Sequence, residues 1–418
     1  MSETGRTVAR LRVRTTRVGD LKLLIPLIDR RHPLIWMRKG QGMAGIGEAL
    51  RLEFSGPTRM LDACAAWKDV AAAATVDDPI GVPGTGLVAF GSFAFADHSS
   101  ATSVLIVPRL LIGKRDGDHW ITRVSVEGED GDATSAVSPS ATALGAEYRL
   151  SLLPGAVTAD SFRESVETAV ARILDHQLSK VVLARDLVGH LPAEADLRRP
   201  LTDLALGYPD CWTYAVDGFI GSSPETLVRV SHGTVSARVL AGTTGRGADA
   251  EADHDRAVAL ATSAKDLDEH GFAVTSVVNA LAPHSRTLTT SELPFTLKLP
   301  NLWHLASDVV GTLSDGSTSL DLIAALHPTA AVAGTPTSSA LELIAELEPF
   351  DRGRYAGPVG WVGADGDGEW AVALRSAQVA ENGDITAYAG CGIVADSDPE
   401  HEYLETKMKF RPIVEAFG

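Results

Sequence analysis

The chain has 418 residues, 45% of them hydrophobic and 22% charged, a balance that fits a globular protein large enough to bury a substantial core. Its formal charge of −17, with no basic run to offset it, argues against nucleic acid and anionic membrane surfaces as partners; an anionic substrate would need a locally positive site built from a few Arg and Lys or a bound metal. No stretch approaches the roughly 20 apolar residues of a membrane span, the arginines near the N-terminus lead into no apolar targeting core, and Cys64, Cys211 and Cys391 are too widely spaced for a metal cage, so a cytoplasmic protein is expected.

In chain order, the first 150 residues mix short strand-like runs, 86–95, 102–107 and 110–112, with Gly and Pro turns. The alanine-rich 71–75 and the polar 127–140 mark surface loops or a helix end. Residues 159–177 place Phe162, Val166, Val170 and Ile173 on one helical face and lead into a strand at 180–187. Strands are predicted at 212–216, 225–230 and 234–240, and 248–281 reads as one long helix stopped before Pro283. Two more strands, 369–379 and 384–394, precede a final helix over 399–417, with Asp398 to cap it and Pro399 in its first turn. Hairpin-like strands with helices inserted between them predict an α+β fold, a largely antiparallel layered β core flanked by helices. One compact domain over 1–418 is expected, residues 1–150 completing the core around a catalytic region at 155–418.

Several motifs fail on context. Gly84-Thr-Gly86-Leu-Val-Ala89 matches a dinucleotide fingerprint but runs into a strand-like Phe-Gly-Ser-Phe-Ala-Phe where a helix is required. Asp365-Gly-Asp-Gly368 lacks the closing Glu of a calcium loop and reads as a hairpin turn. Gly242-Thr-Thr-Gly245-Arg-Gly247 lacks the Gly-Lys-Ser/Thr ending of a P-loop. In the final helix, Glu402, Glu405 and Lys409 follow spacings of three and four, which lines two carboxylates and an ammonium along one face. Such a face is an ordinary solvated one unless other residues join it.

Other residues do. Ser179-Lys180-Val-Val-Leu-Ala-Arg185, Ser223-Pro-Glu225, Leu240-Ala-Gly-Thr243 with Lys265-Asp-Leu-Asp-Glu269-His270, and the block from Ala387 to Lys409 resemble, in order and spacing, the chorismate-utilising enzymes. Leu326-His-Pro-Thr-Ala-Ala-Val-Ala-Gly334-Thr-Pro336 and Gly357-Pro-Val-Gly360-Trp361 look most like the isochorismate synthases of siderophore and menaquinone pathways. The resemblance covers residue 159 to the C-terminus and implies an anthranilate synthase component I-like fold. It also implies conversion of chorismate to isochorismate, in which water adds at C2 of the ring and the C4 hydroxyl leaves.

Carried over residue by residue, the resemblance makes Lys180 the general base and Glu225 the general acid. A lysine base needs burial or a nearby cation, and a glutamic acid needs a raised pKa. Glu269 and Glu405 match Mg²⁺ ligands, with Glu402 close enough to bind directly or through water; Mg²⁺ takes only one or two protein carboxylates and completes its shell with substrate and water. Arg375 matches the arginine that grips the enolpyruvyl carboxylate. Tyr355, the Gly390 and Gly392 amides and Lys409 match the remainder of that anion pocket, and Gly242, Thr243, His304, Ala331 and Val332 match substrate-pocket positions. For His304 a packed core histidine is a close competitor.

Lys180 speaks against anthranilate and aminodeoxychorismate synthases, which use ammonia, and Ala241 stands where the latter carry a lysine. Salicylate synthase is the runner-up; those enzymes tend to place threonine where this chain has Ala331. A catalytically silent chorismate-binding protein is the alternative of another class, and it would have no need of Lys180. A monomer whose partner is a small molecule is expected.

Overall fold

A computed structural model describes residues 9–128 and 139–418, so most of the polar stretch 127–140 lies outside the described residues. Alternation of side chains builds the layers. Along Leu34–Arg38, Ile35 and Met37 enter one apolar cluster and Trp36 another. Such period-two sorting is what a strand buried on both faces requires.

Among the described residues two sheets form, of 13 and 10 strands. Pairing is largely antiparallel, with Leu11–Arg17 and Thr75–Asp77 running parallel. The sheets meet over a layer holding Trp36, Trp120, Tyr214 and Phe219 from the larger sheet and Phe90, Val104, Val359 and Trp361 from the smaller. The other face of the larger sheet is covered by helices Arg198–Gly207 and Pro399–Phe417, through Leu201, Leu204, Phe410, Ile413 and Phe417. Helices Arg59–Ala73, Ala264–Leu281 and Ser319–Leu326 cover the smaller sheet through Trp67, Val277, Leu281 and Ile323. Strands from the first 150 residues enter both sheets: Leu34–Arg38, Gln41–Ile46 and Leu110–Arg115 the larger, Leu50–Phe54, Val88–Ser92 and Ser103–Val107 the smaller.

The expected helix 159–177 is Ala159–Leu174, opened by a capping box between Thr158 and Ser161. Two expected elements are each divided. The 248–281 helix is two, Ala250–Thr262 and Ala264–Leu281, because Ser263 is extended and its hydroxyl accepts from the Asp266 amide, giving the second helix its own cap. The 369–379 strand is also two: Gly368–Val372 belongs to the smaller sheet and Ser376–Val379 to the larger. The chain crosses between sheets at residues 373–375, where Arg375 takes a φ of 49°.

A second crossing lies beside it. Phe219–Ser223 is in the larger sheet, Thr226–Ser231 in the smaller, and residues 224–225 pass between them. The crossings are laced together: the Ser222 amide donates to the Arg375 carbonyl at 3.1 Å, and the Val372 amide to the Glu225 carbonyl at 3.2 Å. This double seam fixes Glu225 and Arg375 relative to one another.

Candidate active site

At the seam lies a cavity of about 70 Å³. Glu225 and Arg375 enter it from the two crossings. A strand bulge supplies Gly242 and Thr243: the register of Thr234–Gly245 against Leu302–Leu313 slips between Ala241 and Thr243, and Gly242 takes the φ of 80° that such a bulge needs. His304 is the cross-strand neighbour of Thr243. The loop after the Ser319–Leu326 helix brings Ala331 and Val332, helix Ala264–Leu281 brings Glu269, and the C-terminal helix brings Glu405 and Lys409. Tyr355, Gly390 and Gly392 also line the wall. Val182, Leu240 and Cys391, which patterning marks only as strand or core residues, line it as well.

Two of the expected residues stand behind the wall. Lys180 is fully buried, its Nζ 3.0 Å from Glu269 Oε1. Gly392 permits this approach, because a Cβ there would sit 2.6 Å from Glu269 Oε1 and 3.0 Å from Lys180 Cε. Glu402 accepts from Ser397 Oγ at 2.7 Å and lies 3.5 Å from Lys265 Nζ.

The electrostatics divide the carboxylates. Burial pushes the Glu225 carboxyl up to about 8, against the pull of Lys180, the Leu240 backbone and Lys409, so at neutral pH it holds its proton. Burial raises Glu269 too, but Lys180, Lys409 and Lys265 together outweigh it and leave the group below its ordinary range and ionised. Burial and the neighbouring Glu405 charge push Glu402 up to about 7. Burial lowers Lys409, yet Glu405 at 2.7 Å more than offsets this and holds it charged. Its Nζ also donates to the Gly390 carbonyl at 3.0 Å.

On the opposite chemistry, burial and the cations Arg375 and Lys409 hold His304 neutral, well below its usual range. Arg375 Nη2 is 3.0 Å from His304 Nε2, and a guanidinium only donates, so Nε2 accepts and Nδ1 carries the proton. Nδ1 lies 2.9 Å from Thr243 Oγ1, which therefore accepts and keeps its own hydroxyl proton for another partner. Arg375 is buried and its Nη1 has no hydrogen-bond partner. A buried guanidinium that lines a cavity and has a nitrogen without a partner suits the anchoring of an anion.

Glu269 and Glu405 offer hard oxygen donors from two helices to one cavity, and the Glu405 charge that raises Glu402 is the kind of repulsion a cation relieves. Among the described residues no three His, Cys, Asp or Glu side chains form a ready-made metal cage. For Mg²⁺, which takes one or two protein carboxylates, this donor set fits.

Larger clefts exist, of about 460 Å³ around His327 and about 660 Å³ around Arg246. There the cations are already engaged, Arg246 by Asp253 at 2.5 and 2.6 Å and Arg352 by Glu348 at 2.6 and 2.8 Å. Not volume but Arg375, a buried guanidinium with no carboxylate partner among the described residues, set beside two carboxylate–lysine pairs and the buried Glu225, singles out the seam.

The sequence model described as chorismate binding enzyme matches residues 29–418. The chain belongs to that family. Isochorismate synthase DhbC of Bacillus subtilis is 43% identical over 271 residues, 62% of this chain and 68% of that one. A crystal structure of the putative 2,3-dihydroxybenzoate-specific isochorismate synthase DhbC from Bacillus anthracis superposes with a TM-score of 0.77 at 30% identity, covering 94% of this chain and 98% of the other. Anthranilate synthase component I from Streptococcus pneumoniae, at 22% identity and a TM-score of 0.73 over 90% of this chain and 92% of its own, shares the fold. The expected anthranilate synthase component I-like α+β fold is therefore the one found, and the chain is an enzyme of the chorismate-binding family.

Proposed function

We propose that this family member is an isochorismate synthase, an isomerase that adds water at C2 of the chorismate ring and expels the C4 hydroxyl. The observation that carries the reading is one cavity lined by the buried carboxyl of Glu225 and by Arg375, whose Nη1 has no hydrogen-bond partner, with the buried Lys180–Glu269 pair at its edge. The 43% identity to a Bacillus isochorismate synthase supports the same reaction.

Glu225 holds a proton at neutral pH and gives it to the departing C4 hydroxyl, which would otherwise leave as a poor anionic leaving group. To take a proton from the attacking water Lys180 must first give up its own ammonium proton to solvent, which loss of its Glu269 partner favours; the proton it then gains balances the one Glu225 gives to the departing hydroxyl. Arg375 Nη1 and the free Thr243 hydroxyl proton bind the enolpyruvyl carboxylate, and the neutral Tyr355 phenol, pushed up to about 12 by burial, adds a donor without adding charge. Pocket walls at Ala331 and Val332 carry no hydroxyl that would orient a second elimination. Glu269 and Glu405, with Glu402 near them, would hold Mg²⁺, which when bound supplies positive charge to the ring carboxylate and competes with the lysines for their carboxylate partners. The reading extends to a cytoplasmic monomer that takes a small-molecule substrate.

Purified protein incubated with chorismate, with and without Mg²⁺, tests this by chromatography of products and a separate pyruvate assay. An isomer of unchanged mass, formed only with Mg²⁺ and without pyruvate, is expected. Salicylate with matching pyruvate, or no conversion at all, would overturn the reading.

A further inference from the structure

The Lys180–His190 strand has an incomplete outer edge. Its start is paired with Gly334–Thr335, and the Val182 amide donates to the Ala333 carbonyl at 2.8 Å. Farther on, Leu187 and Val188 pair with Leu153–Pro154. Between these lie the Val182 carbonyl and the Ala184 amide, on the same side of the strand and with no strand partner among the described residues. Two side chains serve them instead. Arg352 Nη2 donates to the Val182 carbonyl at 2.7 Å, and the Ala184 amide donates to Glu348 Oε1 at 2.8 Å.

The same guanidinium reaches a second wall of the cavity. Arg352 Nη1 donates to the Val332 carbonyl at 2.9 Å, while Nε and Nη2 hold the Glu348 carboxylate at 2.8 and 2.6 Å. The guanidinium lies 4.5 Å from the Phe95 ring centroid, which restrains its plane. Only 2% of the Arg352 side chain and 4% of the Glu348 side chain are exposed. A buried ion pair is a poor stabiliser compared with apolar packing, so stability alone does not account for it. What apolar residues could not do is satisfy three main-chain groups, those of Val182, Ala184 and Val332, at once. Val182 follows Lys180 by two positions, and both Val182 and Val332 line the cavity, which neither Glu348 nor Arg352 touches.

We propose that Glu348 and Arg352 are a positioning pair: they take the place of a missing strand on the edge of the Lys180 strand and set its distance from the Ala331–Val332 loop, and so govern turnover without touching substrate. The functional half rests on the isochorismate synthase reading.

The test compares wild type with Arg352→Lys, Arg352→Met and Glu348→Gln. It measures KM, kcat per chorismate-binding site from equilibrium binding, and amide exchange over residues 181–186 and 327–334. Arg352→Lys cannot span both carbonyls, so kcat per site is expected to fall about tenfold with KM nearly kept, the cost of slight misalignment. Faster exchange is expected in both segments, with Arg352→Met worse than Arg352→Lys. Unchanged kcat per site, or a loss that only follows the folded fraction, would overturn the proposal. Should Arg352→Met fail to fold, Glu348→Gln, which keeps an acceptor for Ala184, decides by the same readouts. If wild type makes no isochorismate the functional reading falls, whereas unchanged exchange in both segments sinks the positioning pair independently.

Discussion

Glu225 is the residue whose environment most departs from that of a surface carboxylate. Its neighbours with charge are Lys180 and Lys409, and burial outweighs both. If it is the proton donor, turnover is lost as pH rises through about 8, and Glu225→Gln lowers kcat by about 10² or more, within the range usual for a general acid. A flat rate profile from pH 6 to 9 would refute the assignment. The same shift has a sign for stability: the folded state holds this proton to higher pH than the unfolded chain, so its contribution is full below the unfolded value near 4.5 and is lost as pH climbs through about 8. Glu225→Gln should therefore melt higher than wild type at pH 8, with the advantage shrinking toward pH 5, as scanning calorimetry would show. Arg375 gives a binding prediction. Arg375→Lys removes the planar fork and the donor that sets the His304 tautomer, so KM for chorismate should rise about tenfold or more, the scale of one charge-assisted hydrogen bond. An unaltered KM in steady-state assays would place the carboxylate elsewhere.

Among elements, the Asp384–Ile393 strand leaves little room beside the cavity. It pairs with the Lys180 strand, setting Val182 against Gly392 and Ala184 against Gly390. Helix Ala264–Leu281 then brings Glu269 down onto it, and only the missing side chain at 392 leaves room. Gly392→Ala is expected to preserve the circular dichroism spectrum while lowering turnover about 10²-fold, because a displacement of an ångström at Lys180 suffices for that. Near-normal kinetics would mean that Lys180 and Glu269 are not held where they must be. The C-terminal helix shows how far a sequence carries such detail. Spacing alone puts Glu402, Glu405 and Lys409 on one face, and Glu405 and Lys409 do line the cavity. Glu402 instead turns to Ser397 and Lys265, contacts made across other elements that helical periodicity does not encode.

At the scale of the molecule, strands from the first 150 residues are built into both sheets, and helix Arg59–Ala73 packs on the smaller one. A chain beginning at residue 155 would leave the edges of Trp212–Val216 and Pro358–Gly363 open where Leu34–Arg38 and Val88–Ser92 now pair. Open edges beside an uncovered apolar layer favour aggregation. Such a truncation is expected to show no cooperative melt and no chorismate binding; a soluble, cooperatively folding product would mean that the catalytic region is a domain by itself.

Local pattern was enough for much of this protein. Alternating and helical periodicities gave most elements of the C-terminal half and context removed three false motifs, because side-chain period and turn chemistry are properties of neighbouring residues. The segments around Lys180, Glu225, Thr243 with Glu269, and the block from Ala387 to Lys409 resembled the chorismate-utilising enzymes in order and spacing. Tertiary structure decided the remainder. A strand run through residues 369–379 gives no sign that it leaves one sheet for the other at Arg375, nor does the helical run 248–281 announce that Ser263 prefers its own cap. The proton on Glu225, the tautomer of His304, and the use of Glu348 and Arg352 in place of a strand all depend on groups distant in sequence. Desolvation and hydrogen-bond satisfaction are set by what surrounds a residue in space, and only the folded chain fixes that.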